Sequence, residues 1–289
     1  MLLGLVGNSC SGHILRCFRA KTHSSFTSPI NSFQFSRSVY CATMASAAAG
    51  ETRTEPVYFS DTYLFSFDKA SVLKAEKLEG DSNDYAVVTD QTIMHPQGGG
   101  QPSDQGEITT SVDGTDVVFQ VKQVSKAKDS QEIKHIGCFS SGSAELLPVG
   151  QTVKMTINED MRRLHARLHS AGHLLDTALN RLNASDLIPS KGYHFADGPY
   201  VEYIGNVANE ERDKLMASMN EVLSDLVKEN IATQITVGDS GERIVSIAGL
   251  PCPCGGTHVK STAEIGPMKV TRMKKNKKNM KMSYSLESS

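Results

Sequence analysis

His169-Ser170-Ala171-Gly172-His173-Leu174-Leu175 sits past mid-chain, and Pro253-Cys254-Gly255-Gly256-Thr257-His258-Val259 answers it far downstream. Each stretch spaces two metal-capable side chains four residues apart. Around the first, Met161, Leu164, Leu168, Leu175 and Leu179 recur at helical spacing, so it reads as part of an amphipathic helix. On a helix, residues i and i+4 lie one turn apart on one face, and two imidazoles there can aim at one point. The second stretch lies in a Pro/Gly-rich loop that begins at Pro251, and such a loop can bend until thiolate and imidazole converge. A mixed imidazole and thiolate set suits zinc, whereas calcium and magnesium want oxygen ligands. Spacing alone leaves rivals open. His165 and His169 form another i,i+4 pair, and Cys252 stands two residues before Cys254.

Outward from the helix, the chain divides. Residues 56–157 read as short β segments at 66–78, 85–90, 106–111, 116–125, 132–139 and 151–157, with the regular spacing of a small barrel. The glycine run 98–100 implies a bulge or sharp corner. Asn158 is placed to cap the helix, with Glu159 and Asp160 facing the positive end of its dipole, and the helix should reach about Leu182. Strands near 193–196 and 199–204, a second amphipathic helix over about 208–230, and strands at 231–237 and 243–248 should follow. After the loop, Met268, Val270 and Arg272 alternate, then Met280, Met282, Tyr284 and Leu286. That pattern is a β-hairpin with Lys274, Lys275, Lys277 and Lys278 at its tip. The fold class is α+β, with a β-rich domain over 51–157 and an α+β metal-binding domain over 158–289.

Residues 1–50 hold no acid, four basic residues (Arg16, Arg19, Lys21, Arg37) and nine serines. This is the composition of an organellar transit peptide, addressed to mitochondrion or chloroplast, with Met44 as a second start that would give a cytoplasmic form. With the leader's four basic residues taken from the chain's 30, residues 51–289 keep 26 Lys/Arg against all 32 acids, a net of −6. An acidic body grips nucleic acid only through local basic patches, and 269–281 holds seven Lys/Arg with no acid. Only three of six cysteines lie beyond the leader and two of those sit in the metal loop, so a disulfide framework is not expected. No apolar run approaches the ~20 residues of a membrane span. No P-loop and no His-Glu-x-x-His is present, which argues against a P-loop nucleotidase and against that class of metalloprotease.

Three motifs carry a resemblance. His169 to Leu175 resembles the His-x-x-x-His-Leu-Leu element of the alanyl-tRNA synthetase editing domain, and Pro253 to Val259 resembles its partner motif. His95-Pro-Gln-Gly-Gly-Gly-Gln-Pro-Ser-Asp-Gln-Gly106 is similar to the glycine-rich motif that precedes both. In this order they cover roughly residues 56–289 and resemble the AlaX family, free-standing relatives of that editing domain, in the medium-length form. The threonyl synthetases carry a related domain. By motif position the resemblance implies one zinc held by His169, His173, Cys254 and His258. It implies an aminoacyl-tRNA hydrolase without ligase activity, acting on the acceptor stem and 3′ end of tRNA(Ala) to remove serine, with glycine as a second substrate. Serine on tRNA(Thr), or a non-catalytic zinc-stapled tRNA-binding module, are the alternatives. Gln101 falls at the family's Gly-Gly-Gln position and Ser170 at one usually Thr, which offers both as catalytic candidates; the four lysines are the RNA-binding candidates.

Overall fold

The computed structural model describes residues 52–80, 83–184 and 186–287. The transit-peptide reading of residues 1–50 therefore lies outside the described residues. The described strands are β1 (Glu55–Pro56), β2 (Ser66–Lys77), β3 (Tyr85–Thr89), β4 (Gln91–Thr92), β5 (Gly106–Val112), β6 (Thr115–Lys126), β7 (Ile133–Ser141) and β8 (Thr152–Ile157). Helix α1 (Glu159–Arg181) follows, then β9 (Ile188–Tyr193), β10 (Tyr200–Ile204) and helix α2 (Asn209–Lys228). The chain closes with β11 (Gln234–Val237), β12 (Arg243–Ile247), β13 (Leu250–Pro253), β14 (Met268–Asn276) and β15 (Asn279–Leu286). Among the described residues no helix is long and apolar enough to cross a membrane.

Six strands close into an antiparallel barrel in the order β2-β3-β7-β6-β5-β8. Alternation builds its interior: Val117, Phe119 and Val121 point inward from β6 and meet Ile108, Val153 and Met155. Register shifts in β2 (Val72/Lys74) and β6 (Val121/Gln123) bend the strands enough to close. The expected strands therefore stand within two residues of their predicted ends. The glycine run is a sharp corner. Gly98 and Gln101 bond each other reciprocally, and Gly99 (φ 58°) and Gly100 (φ 84°) occupy left-handed positions that side chains resist.

A second apolar cluster fills the space between α1, α2 and the sheet β14-β15-β10-β9. Asn158 caps α1 as expected, its Oδ1 accepting from Met161 N at 3.0 Å. The hairpin Met268–Leu286 also forms, with Met280, Met282 and Tyr284 pointing inward. Other expectations need correction. The strand expected at 193–196 is instead β9, displaced toward the N-terminus through Pro189. Because β9 is the sheet's edge, the missing proline N–H breaks no ladder. Residues 231–233 do not join β11. They bond the far end of the metal loop, with Thr233 N donating to Lys260 O. Leu164, expected in the apolar stripe of α1, lies on its outer face, and Arg162 is buried in its place.

Candidate metal centre

Helix α1 places His169 and His173 one turn apart, with ring centroids 5.1 Å from each other. The loop after β13 brings Cys254 and His258 against them. Ligand atoms of these four side chains all lie within 4.8 Å of one another. Cys254 Sγ stands 3.6 Å from His169 Nε2 and 3.3 Å from His258 Nε2. His165 and Cys252, the rivals by spacing, lie outside this cluster. His165 is buried one turn earlier on α1, and the Cys252 thiol turns toward Pro253 O.

The outer nitrogens of two of these histidines are held. Thr257 N–H donates to Gln101 Oε1 at 3.0 Å, which fixes that atom as the amide oxygen. His169 Nδ1, 2.7 Å from the same oxygen, must then carry the proton, and its Nε2 lone pair faces the cluster. Gln101 Nε2 donates back to Thr257 Oγ1 at 2.9 Å, so the glycine corner and the metal loop are tied at two points. Ser170 Oγ accepts from Val259 N and lies 3.2 Å from His258 Nδ1. Gln101 and Ser170 are both fully buried.

Electrostatics favour the ligand forms. Burial, reinforced by the neighbouring imidazoles, holds His169 and His258 well below the usual histidine range. His173 is lowered to about 4 by burial and by Arg243. All three are neutral lone-pair donors near pH 7. Burial pushes the Cys254 thiol up, opposed by Gly256 N–H, which donates to Sγ at 3.4 Å, and by the Arg243 charge. A cation at the cluster supplies what burial takes away, because it favours the thiolate. The donor set of three imidazoles and one thiolate thus fits a borderline-soft divalent ion.

Four supporting residues escaped the sequence reading. Arg243, at the start of β12, donates through Nη1 to Cys254 O (2.7 Å) and Gly256 O (3.0 Å), clamping the loop's backbone. Arg162 and Asp104 form a fully buried ion pair, and the same guanidinium donates to Thr62 O and Ile93 O. That pair bolts the base of α1 to the segment that follows Gln101. His194 stacks on His169 with centroids 4.8 Å apart. Its Nδ1 bonds Tyr284 Oη, which itself donates to Leu168 O. Nothing in periodicity distinguishes these residues, since each acts across the fold rather than along the chain. The four lysines all stand exposed at the end of the β14–β15 hairpin and are not part of the cluster.

Residues 243–281 match the family model for the threonyl and alanyl tRNA synthetase second additional domain. The alanyl-tRNA editing protein AlaX-M of Methanosarcina mazei is 30% identical over 258 residues, spanning 81% of this chain and 96% of its own. The chain belongs to the AlaX family. The AlaX-L protein of Pyrococcus horikoshii is 31% identical over 242 residues, and this chain spans 56% of its length. An alanine–tRNA ligase of Clostridioides difficile is 31% identical over 210 residues, which make up 23% of that enzyme. What this AlaX chain shares with the ligase is thus a fraction of it. The matched stretch 243–281 includes Cys254, His258 and all four hairpin lysines.

Proposed function

We propose that this protein is a zinc-dependent trans-editing aminoacyl-tRNA deacylase that removes serine, and glycine as a second substrate, from tRNA(Ala). The observation that carries the reading is the His3Cys cluster, in which the outer nitrogens of His169 and His258 are already engaged. For zinc with Zn–N of about 2.0–2.1 Å and Zn–S of about 2.3 Å, a tetrahedral edge is about 3.4–3.6 Å. The spacings of 3.6 and 3.3 Å around Cys254 Sγ are close to that edge. Bound there, zinc would polarise an ester carbonyl or bring a water toward a pKa of about 7. The names of the AlaX relatives support the substrate class.

The chain's own groups would supply positioning. Gln101 keeps His169 in one tautomer and Ser170 steadies His258, so both are read as positioning residues behind the ligands. Neither has a spare exposed atom with which to meet an ester. Selectivity for a seryl group would then depend on how tightly they hold the pocket wall. The hairpin lysines 274, 275, 277 and 278 supply positive charge for the RNA backbone. The barrel and the zinc-holding unit are read as two domains joined by the Gln101–Thr257 and Arg162–Asp104 contacts.

Time courses of deacylation on seryl-, glycyl- and alanyl-tRNA(Ala), with zinc-loaded and chelated protein, test this. Fast loss of serine with alanine spared is expected. No hydrolysis of any of the three by the zinc-loaded protein would remove the reading. One feature favours a second reading: four protein ligands around one buried point resemble a closed, structural zinc site. A non-catalytic tRNA-binding module would unfold on chelation and never hydrolyse. An enzyme would lose turnover with its secondary structure retained.

A further inference from the structure

The sheet β14-β15-β10-β9 covers the helices with one face and leaves the other face open. Its register sets the residues of that open face in rows. Arg272 pairs Ser283, Ser283 pairs Tyr200 and Tyr200 pairs Tyr193, giving one row across four strands. The next row runs Lys274, Lys281, Glu202, Lys191, and beyond it Ile204 pairs Ile188. Both isoleucines are nearly half exposed.

Three rings on this face form a column. Phe195 lies parallel to Tyr193 with centroids 4.5 Å apart, and Tyr193 to Tyr200 at 5.2 Å. Lys281 Nζ caps the column 3.4 Å from the Tyr200 centroid, where a further flat ring would otherwise stack. Two acids share the face: Asp197, which accepts from Tyr193 Oη, and Glu202, which accepts from Asn276 Nδ2. Arg272, Lys274, Lys281 and Lys191 outnumber these acids four to two, so the face is net basic. Stacked aromatics interleaved with lysines and arginines are what an unpaired nucleic-acid strand needs, with bases on rings and phosphates on cations.

We infer that this open sheet face, centred on Tyr193, Phe195, Tyr200 and Lys281, binds the unpaired 3′-terminal nucleotides of tRNA by base stacking. The inference rests on the proposed function for its choice of RNA. Position supports it too. His194, between Tyr193 and Phe195 in sequence, turns inward and stacks on His169. The column and the metal cluster are thus back to back at one strand end, so a strand rounding that end reaches the cluster. A base extending the column displaces the Lys281 ammonium from Tyr200 toward a phosphate.

The test is binding of uncharged tRNA(Ala), intact and with its four unpaired 3′ nucleotides removed, at fixed salt. Removing those nucleotides from wild-type ligand should weaken binding about tenfold or more. Tyr200→Ala and Tyr193→Ala should each weaken intact tRNA by a similar factor and leave trimmed tRNA unchanged, while Tyr200→Phe keeps wild-type affinity. Lys281→Ala should lower the salt slope by about one. Melting temperature and metal content, measured on each variant, report whether the fold survives. The inference is overturned if both alanine variants bind intact tRNA like wild type, or if they weaken trimmed tRNA equally. None of these readouts needs turnover, so stacking-dependent binding without hydrolysis sinks the deacylase reading alone. Normal hydrolysis with an unchanged KM in the tyrosine variants sinks this one alone.

Discussion

Gly255 and Gly256 are chemically identical neighbours with opposite surroundings. A Cβ on Gly256 would come 2.1 Å from His169 Cε1, 2.2 Å from Nδ1 and 2.9 Å from Gln101 Oε1. Non-bonded heavy atoms settle near 3.5–4.0 Å, so the imidazole would have to retreat by about 1.5 Å. Metal sites tolerate departures of only about 0.2 Å. Retreat also breaks the 2.7 Å bond to Gln101, so His169 loses both its place and its tautomer. Gly256→Ala should therefore lower zinc affinity at least 100-fold, beyond the 10–100-fold that loss of an outer partner alone costs. On Gly255 the same methyl meets only Phe59 ring carbons, at 3.7 and 3.8 Å, so Gly255→Ala should bind zinc within a few-fold of wild type. Competition against a chromophoric chelator reads both, with urea unfolding to confirm folded protein. Wild-type zinc affinity in folded Gly256→Ala would refute the ligand role of His169.

Arg162→Ala strands the Asp104 carboxylate in the interior, and urea unfolding should show a loss of about 3–5 kcal/mol; a loss under about 1 kcal/mol would mean the pair is not the bolt between barrel and helix. His135 lies wholly in the barrel core, Nδ1 on Val87 O and Nε2 on Thr92 Oγ1, and burial lowers it to about 4. Its folded value lies below its unfolded value of 6.5, so its contribution is whole above pH 6.5 and declines as the unfolded chain takes up protons below it. Going from pH 7.5 to pH 5 should cost about 2 kcal/mol through this residue. A His135→Gln variant should show correspondingly less acid loss than wild type, and identical pH profiles would refute the assignment. Replacing Lys274, Lys275, Lys277 and Lys278 together by Ala should raise the tRNA concentration for half-saturation and flatten its salt dependence, each lost phosphate contact removing about one from the slope. Unchanged affinity would clear the hairpin tip of RNA contact.

Local signals carried the parts of the fold that depend on local chemistry. Alternation placed the barrel strands, Asn158 announced its helix, and the alternation of Met268, Val270 and Arg272 before the lysines and of Met280, Met282, Tyr284 and Leu286 after them gave the hairpin. What stayed hidden needed knowledge of neighbours. Strand β13 is Leu-Pro-Cys-Pro, and two prolines argue for a loop until β13 is seen at the sheet's edge. Arg162 and Leu164 exchange their expected burial because Asp104, remote in sequence, waits beneath one of them. The four clustered side chains were nameable from motif position, but the hydrogen-bonding of Gln101 and Ser170 was not. A glutamine beside three glycines looks like a group offered to substrate, and only its two bonds to Thr257 show it facing inward.

That inward orientation links the two halves of the molecule. Gln101 comes from the barrel side and reads the tautomer of a histidine on α1, while Thr257 reports the position of the loop that carries Cys254 and His258. One amide thus holds three chain segments in a single register. Glutamate at position 101 would keep the acceptor toward His169 and Thr257 N, but the Thr257 hydroxyl would have to turn from accepting to donating, leaving an anion 2.7 Å from the imidazole. A Gln101→Glu variant should hold zinc at least as well, because the negative charge strengthens the imidazole as a donor. It should nevertheless lose turnover, because a buried charge in place of a neutral amide costs free energy, and the reversed Thr257 hydroxyl changes how the loop is held against the corner. Zinc content and deacylation measured on the same sample separate the two effects. A variant that lost zinc and turnover in equal proportion would show that Gln101 serves the metal alone and does not register the loop.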